Sequence, residues 1–159
     1  MTGRPSTAYR MWQRLSAYPG GSRLFSAAVM ARAPYFTTVL PHIRSMEPGL
    51  AEIDVPNWTM VHNHLKTMHA IASCNAAEVA MGMLMEATVP SSHRWIPKAM
   101  TVQYLAKATT SLRATARLDP PDFEGIAEGV ELVVPVSITD RGGIEVVHAD
   151  ITTWVTPVR

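Results

Sequence analysis

Apolar and polar positions along the chain fall into two periods, and each predicts a different kind of element. Residues 50–55 set Leu50, Ile53 and Val55 beside Glu52 and Asp54. Residues 111–119 alternate strictly, with Leu112, Ala114, Ala116 and Leu118 against Arg113, Thr115, Arg117 and Asp119. Residues 100–108 carry Met100, Val102, Tyr104, Ala106 and Ala108 on one face, and residues 130–139 carry Val130, Leu132, Val134, Val136 and Ile138. Residues 144–155 do the same with Val147, Ala149, Ile151 and Val155. A period of two marks a strand with one buried face. Residues 36–46 read as a further strand, joined to 50–55 by the turn-forming Glu47-Pro48-Gly49, and Asp140-Arg141-Gly142-Gly143 reads as a hairpin turn. Pro135 falls on the polar face of its segment, which predicts an edge strand or a bulge, because proline has no N–H for a ladder.

The stretch from His69 to Met85 departs from this alternation. It is rich in Ala, Met and Leu and predicts a helix about 25 Å long. Being apolar almost all round, such a helix has to be buried. An Asn- and His-rich loop at 56–68 precedes it, and Pro90-Ser91-Ser92 follows. Two shorter helices, about 6–17 and 22–32, stand at the front of the chain, with Pro34 and Pro41 punctuating their exit. The order ααββαββββ predicts an α+β domain. Antiparallel strands with one apolar face need a cover, and the central helix is the candidate, so the sheet should wrap around it. With no repeat and no linker, the chain reads as a single domain in which residues 1–34 form an N-terminal helical extension and 35–159 the main body.

Composition narrows the classes. Of 159 residues 47% are apolar and only 17% charged, against roughly a quarter charged in an average domain. Disorder is excluded, since it needs low hydrophobicity and high net charge. A net charge of +1 gives no general reason to bind nucleic acid. So little charge predicts a surface partly covered by a second copy. No apolar run reaches the roughly 20 residues of a membrane-spanning helix. The lone Cys74 cannot form an internal disulfide, which favours a reducing, cytoplasmic setting. Charge is also split along the chain: six Arg and no acid before Glu47 give +6 over 1–46, and 8 minus 13 gives −5 over 47–159. That leader, with Leu24-Phe25-Ser26-Ala27-Ala28-Val29-Met30-Ala31, has the character of a weak targeting segment. The apolar run is short and Arg32 interrupts its end, so two helices lying over the domain with Arg outward are the preferred reading.

Glu78 is the only charged side chain between His69 and Met85. A carboxylate in a buried helix costs several kcal/mol unless it is paired or lines a wet cavity. It is therefore either a candidate general base or nucleophile facing a cleft, or one half of an ion pair with Arg94, Lys98 or Arg113. The loop ahead of the helix, Val61-His62-Asn63-His64-Leu65-Lys66-Thr67-Met68-His69-Ala70, feeds a helix N-terminus whose free N–H groups can stabilise an oxygen that becomes negative. Asn63 adds side-chain donors, with turn formation and capping as the plain alternative for it and for His69. His62, His64 and His69 have ligand-like spacing, but no pattern of a fourth ligand or of groups to orient the rings accompanies them, so no metal is expected. No serine elbow or phosphate loop is present, and Cys74 reads as inert packing. Ten methionines, several around the helix, suit an irregular apolar ligand as well as an ordinary core.

The stretch from Asn63 to Glu78 and the order of elements resemble the hotdog-fold acyl-CoA thioesterases of the phenylacetate-pathway type, and more closely the DUF4442-type branch of that superfamily. The resemblance covers about residues 35–156. In those enzymes an Asn stands six residues before the His that opens the central helix, and an acid stands nine after that His. Asn63, His69 and Glu78 match this spacing, and Ile96-Pro97-Lys98-Ala99-Met100-Thr101-Val102-Gln103-Tyr104-Leu105 resembles the strand after the helix. His69-Ala70-Ile71 replaces the usual His-Gly-Gly, a change that bears on activity, since glycine lets substrate approach the backbone. The resemblance implies a homodimer or dimer of dimers with its site between subunits. Glu78 of one chain would activate water or attack directly, and Asn63 and the Ala70 N–H of the other would hold the carbonyl. His69 would orient the loop. Met68 and Met81 would contact the acyl group, and Lys66, Arg94 and Lys98 the CoA phosphates. No cofactor is implied beyond CoA as part of the substrate. A non-catalytic acyl-CoA or lipid binder on the same fold is the alternative.

Overall fold

The computed structural model describes residues 4–158. Within them the chain runs α1 (Thr7–Ser16), α2 (Gly21–Arg32), β1 (His42–Glu47), β2 (Leu50–Val55), α3 (Ala70–Thr88), β3 (His93–Tyr104), β4 (Leu112–Arg117), β5 (Val130–Thr139) and β6 (Glu145–Pro157). The strands form one six-stranded sheet in the order β1-β2-β4-β5-β6-β3, antiparallel throughout. Helix α3 contacts all six strands. Its sheet side is built from Ala72, Ala76, Ala80 and Leu84, and the small residues let the helix lie close to the strands. Ile43, Ile53, Val55, Val134, Val136, Ile138 and Ile151 meet it from the sheet in one buried cluster.

Local chemistry sets the ends of α3. The His69 ring caps it, Nδ1 accepting from the Ile71 N–H at 3.1 Å. At the far end Thr88 Oγ1 donates to the Leu84 carbonyl at 2.7 Å and accepts from the Gly49 N–H at 2.9 Å, which ties the β1–β2 turn to the helix. Gly49 has φ +83°, and a Cβ there would lie 2.7 Å from the Leu118 carbonyl oxygen, so glycine is required.

Several sequence expectations shift. The strand expected over 36–46 begins only at His42, because Pro34–Thr38 forms a 3-10 turn. The Thr37 and Thr38 hydroxyls there donate to the Pro34 and Tyr35 carbonyls, local bonds that compete with a ladder. The helix expected to end at Met85 continues to Thr88. The strand expected over 100–108 is instead β3, which starts at His93 and ends at Tyr104. A bulge between Pro97 and Ala99 resets its alternation and hides its first half. Ala108 belongs to the following loop, its carbonyl accepting from the Met68 N–H at 2.9 Å. Strand β5 is interior, not an edge. Pro135 is tolerated because the β4 ladder stops at Val136, so no bond to β4 is lost there.

Helices α1 and α2 form where two N-terminal helices were expected, and they reach the main core. Trp12 and Phe25 meet edge to face at 5.3 Å and join the same buried cluster as the sheet. Arg14, Arg23 and Arg32 lie at exposed positions.

On the outer face of the sheet, His148 Nδ1 sits 2.9 Å from Glu145 Oε1 and Nε2 sits 3.6 Å from Asp150 Oδ1. The hydrogen bond to Glu145, aided by the nearby charges, raises the His148 pKa above its ordinary value. A raised folded pKa means that charged His148 contributes stability below the unfolded value of about 6.5 and loses it as pH rises through the folded pKa. NMR titration is expected to place His148 above the usual histidine range, and Glu145→Gln to bring it down. An ordinary value in both proteins would mean the contact is absent in solution.

Candidate active site

Ile71, Cys74, Glu78, Gly82 and Glu86 follow one another at helical spacing along the side of α3 that the sheet leaves open, half-buried or exposed in each case. The helix expected to be buried all round therefore has one open stripe. Glu78 stands in its middle. It makes no ion pair or hydrogen bond with any described residue. The pairings that would have explained it structurally are taken elsewhere or unformed. Arg113 binds Asp54 through two contacts, 2.8 and 3.3 Å. Lys98 binds Glu131 and lies 5.2 Å over the Trp154 ring. Arg94 is exposed on β3 and pairs with no described carboxylate.

Glu78 lines a cavity of about 830 Å³ whose walls are mostly apolar. Its far wall is formed by α1, α2 and the turn after them, through Met11, Phe25, Ala28, Val29 and Phe36, with Trp95 of β3 closing one side. Met81 lines it as well, while Met68 is buried in the core and does not. The involvement of α1 and α2 was not visible in the sequence. The sequence shows two short helices with Arg outward, but not what they pack against.

The other half of the expected site lies at the start of α3. The Ala70 N–H is the first free donor of the helix and bonds no described residue, whereas the Ile71 N–H is taken by His69. Asn63 is spent largely on its own loop. Oδ1 accepts from the Leu65 and Thr67 N–H groups at 2.9 and 3.2 Å, and Nδ2 donates to Thr67 Oγ1 at 2.9 Å, which leaves one amide hydrogen. Lys66 is exposed, with φ +60° fixed by that turn. His62 bonds Asn57 Oδ1 at 2.6 Å. Among the described residues no three His, Cys, Asp or Glu side chains gather to hold a metal. Cys74 Sγ lies 3.4 Å from the Tyr104 hydroxyl, and this contact, with burial, raises the Tyr104 pKa.

Glu78 stands eight residues beyond Ala70, about 12 Å along the helix axis.

A six-stranded antiparallel sheet curled around one long helix is the hotdog fold, and comparison with solved structures bears this out. A structural-genomics crystal structure is 40% identical, with 95% of this chain and 98% of that chain covered and a TM-score of 0.81. A Pseudomonas aeruginosa protein of unknown function, named a probable thioesterase, is 21% identical over 81% of this chain and 91% of its own, with a TM-score of 0.74. A thioesterase family protein from Silicibacter pomeroyi is 16% identical over 84% and 96%, with a TM-score of 0.69. The chain belongs to the family described as Domain of unknown function (DUF4442), whose profile matches residues 21–155. Its fold is the one these solved structures share. No curated protein matches it. No helix among the described residues is long and apolar enough to cross a membrane.

Proposed function

We propose that this protein hydrolyses an acyl thioester, acyl-CoA or a related carrier-bound acyl group, at a site shared by two copies of the chain. The observation that carries the reading is Glu78: an unpaired carboxylate on the open stripe of the central helix, facing an apolar cavity. An unpartnered carboxylate in a cleft has the placement of a general base. Glu78 of one chain takes a proton from water, whose oxygen bonds to the thioester carbon. The carbonyl oxygen becomes negative against the Ala70 N–H of the second copy, and the C–S bond then breaks as the thiolate of CoA or phosphopantetheine takes up the proton. Asn63 and His69 hold the loop and the helix start that present Ala70. CoA enters as substrate, and no cofactor is needed. Lys66 and Arg94 are the basic residues available to its phosphates; Lys98 is engaged by Glu131.

The edge of the sheet supports pairing with a second copy. Strand β3 is twelve residues long and has β6 on one side alone. Long exposed edges are usually blunted. Pro97, Lys98 and the bulge blunt the first half, which leaves Ala99–Tyr104 as a run of unpartnered backbone. Exposed Tyr104 and Leu105 end that run, and Ile71 stands exposed by 52% at the start of α3.

A second reading, a non-catalytic acyl-CoA binder, draws on Ile71. It occupies a position where a glycine would open the backbone, and its N–H is already bound by His69. Thiol release from a panel of acyl-CoAs separates the two readings. Turnover on at least one acyl group is expected. Saturable acyl-CoA binding without turnover would select the binder.

A further inference from the structure

We infer that the N-terminal helices α1 and α2 form the acyl-binding wall of this site and restrict it to apolar, medium-length acyl groups. The inference rests on Glu78 marking the thioester end, and three observations carry it. First, Glu78 and the N-terminal helices line the same cavity, with Met11, Phe25, Val29 and Phe36 facing Met81, Met83 and Trp95 across it. Most of the lining is aliphatic, aromatic and thioether groups, which solvate an apolar chain; besides Glu78, its charged groups are Arg32 and Glu86. Second, the cavity has a length. Glu78, Gly82 and Glu86 lie successively along its α3 side, and the eight residues from Glu78 to Glu86 span about 12 Å. An extended chain advances roughly 3.5 Å per three bonds, so that distance takes about ten carbons. Glu86, at the end of that span, is a carboxylate, and Arg32 also lines the cavity, neither in an ion pair with a described residue. Both are strongly hydrated groups that an apolar chain end does not desolvate cheaply. Third, room is left by small residues at the places where the walls meet. Ala8, Ala28 and Ala33 line the helical side, and on α3 a Cβ at Gly82 would first meet Trp95, at 3.6 Å.

The helices are held rigidly enough to act as a wall. Trp12 and Phe25 lock them into the main core, and Phe25, with Met11 and Ala28 of the same turns, also lines the cavity. Chain-length preference is therefore set by a part of the molecule that supplies no group to the chemistry.

The test is calorimetric binding of non-hydrolysable S-alkyl-CoA thioethers, from ethyl to hexadecyl, read beside kcat/KM for the matching acyl-CoAs. Wild type is expected to bind the decyl probe most tightly. Ala28→Phe, which places a ring in the cavity, is expected to weaken decyl binding by about tenfold or more while leaving ethyl binding within about twofold, since lost methylene contacts alone change. Phe36→Ala, which opens the same wall, is expected to move the optimum to longer probes. Gly82→Leu, favourable to the helix, is expected to cut off chains beyond the midpoint. A change uniform across all lengths, no change in any variant, or length-independent binding by wild type would overturn the inference. A wild type that shows this length dependence in binding but no turnover keeps the wall and removes only the hydrolytic reading. Turnover without length dependence does the reverse.

Discussion

Glu78→Gln is expected to lower thiol release from acyl-CoA by at least a hundredfold, the low end for removing an acid–base group, without lowering the thermal midpoint. Glutamine keeps the size and polarity of the side chain and removes only its ability to take a proton. Stability is spared because Glu78 has no described partner to lose. Breaking a buried ion pair would leave a stranded cation and cost several kcal/mol, and no such cation is paired to it. The two readouts together separate a catalytic role from a structural one. Equal rates in the two proteins would remove Glu78 from the mechanism, and a large fall in stability would reveal a partner it is not expected to have.

Ala70→Pro is expected to reduce kcat by about a hundredfold to a thousandfold, the loss typical of one oxyanion donor, with a well-folded protein and little change in KM. Proline at the first helical position is favoured, because the N–H it lacks has no intrahelical partner there. The residue before it must be extended, and His69 already is, with φ −65° and ψ 138°. The substitution thus deletes one backbone hydrogen and almost nothing else. Ala70→Gly, which keeps the N–H, should retain activity. Full activity in the proline variant would place the negative oxygen elsewhere.

The parts of the fold legible in the sequence are those where burial imposes a period. Strand β4 buries Leu112, Ala114 and Ala116 and exposes Arg113 and Arg117, and β2 buries Ala51, Ile53 and Val55 in the same alternation. Strand β3 was half hidden. As an edge strand it is exposed along most of its length, and Pro97 with its bulge breaks what alternation remains. Of the candidate site, Glu78 was legible because a single charge in an apolar helix is costly unless it has a use. Its alternatives could be settled only in three dimensions. Lys98 finds Glu131 and Arg113 finds Asp54 across strands, at sequence separations no local pattern encodes. The helices that roof Glu78 were legible as helices. Their place over the carboxylate follows from the packing of Trp12 and Phe25 into a core assembled from the rest of the chain.

The shared site is tested most directly by mixing two disabled proteins. Glu78→Gln and Ala70→Pro chains, unfolded together and refolded at equal amounts, form mixed dimers in which one of the two sites has an intact Glu78 facing an intact Ala70. In a closed two-fold dimer with random pairing, the mixture is expected to regain about a quarter of wild-type activity although each parent alone is nearly inactive. Activity no higher than that of the parents, in a mixture shown by sedimentation to be dimeric, would contradict a site built from two copies.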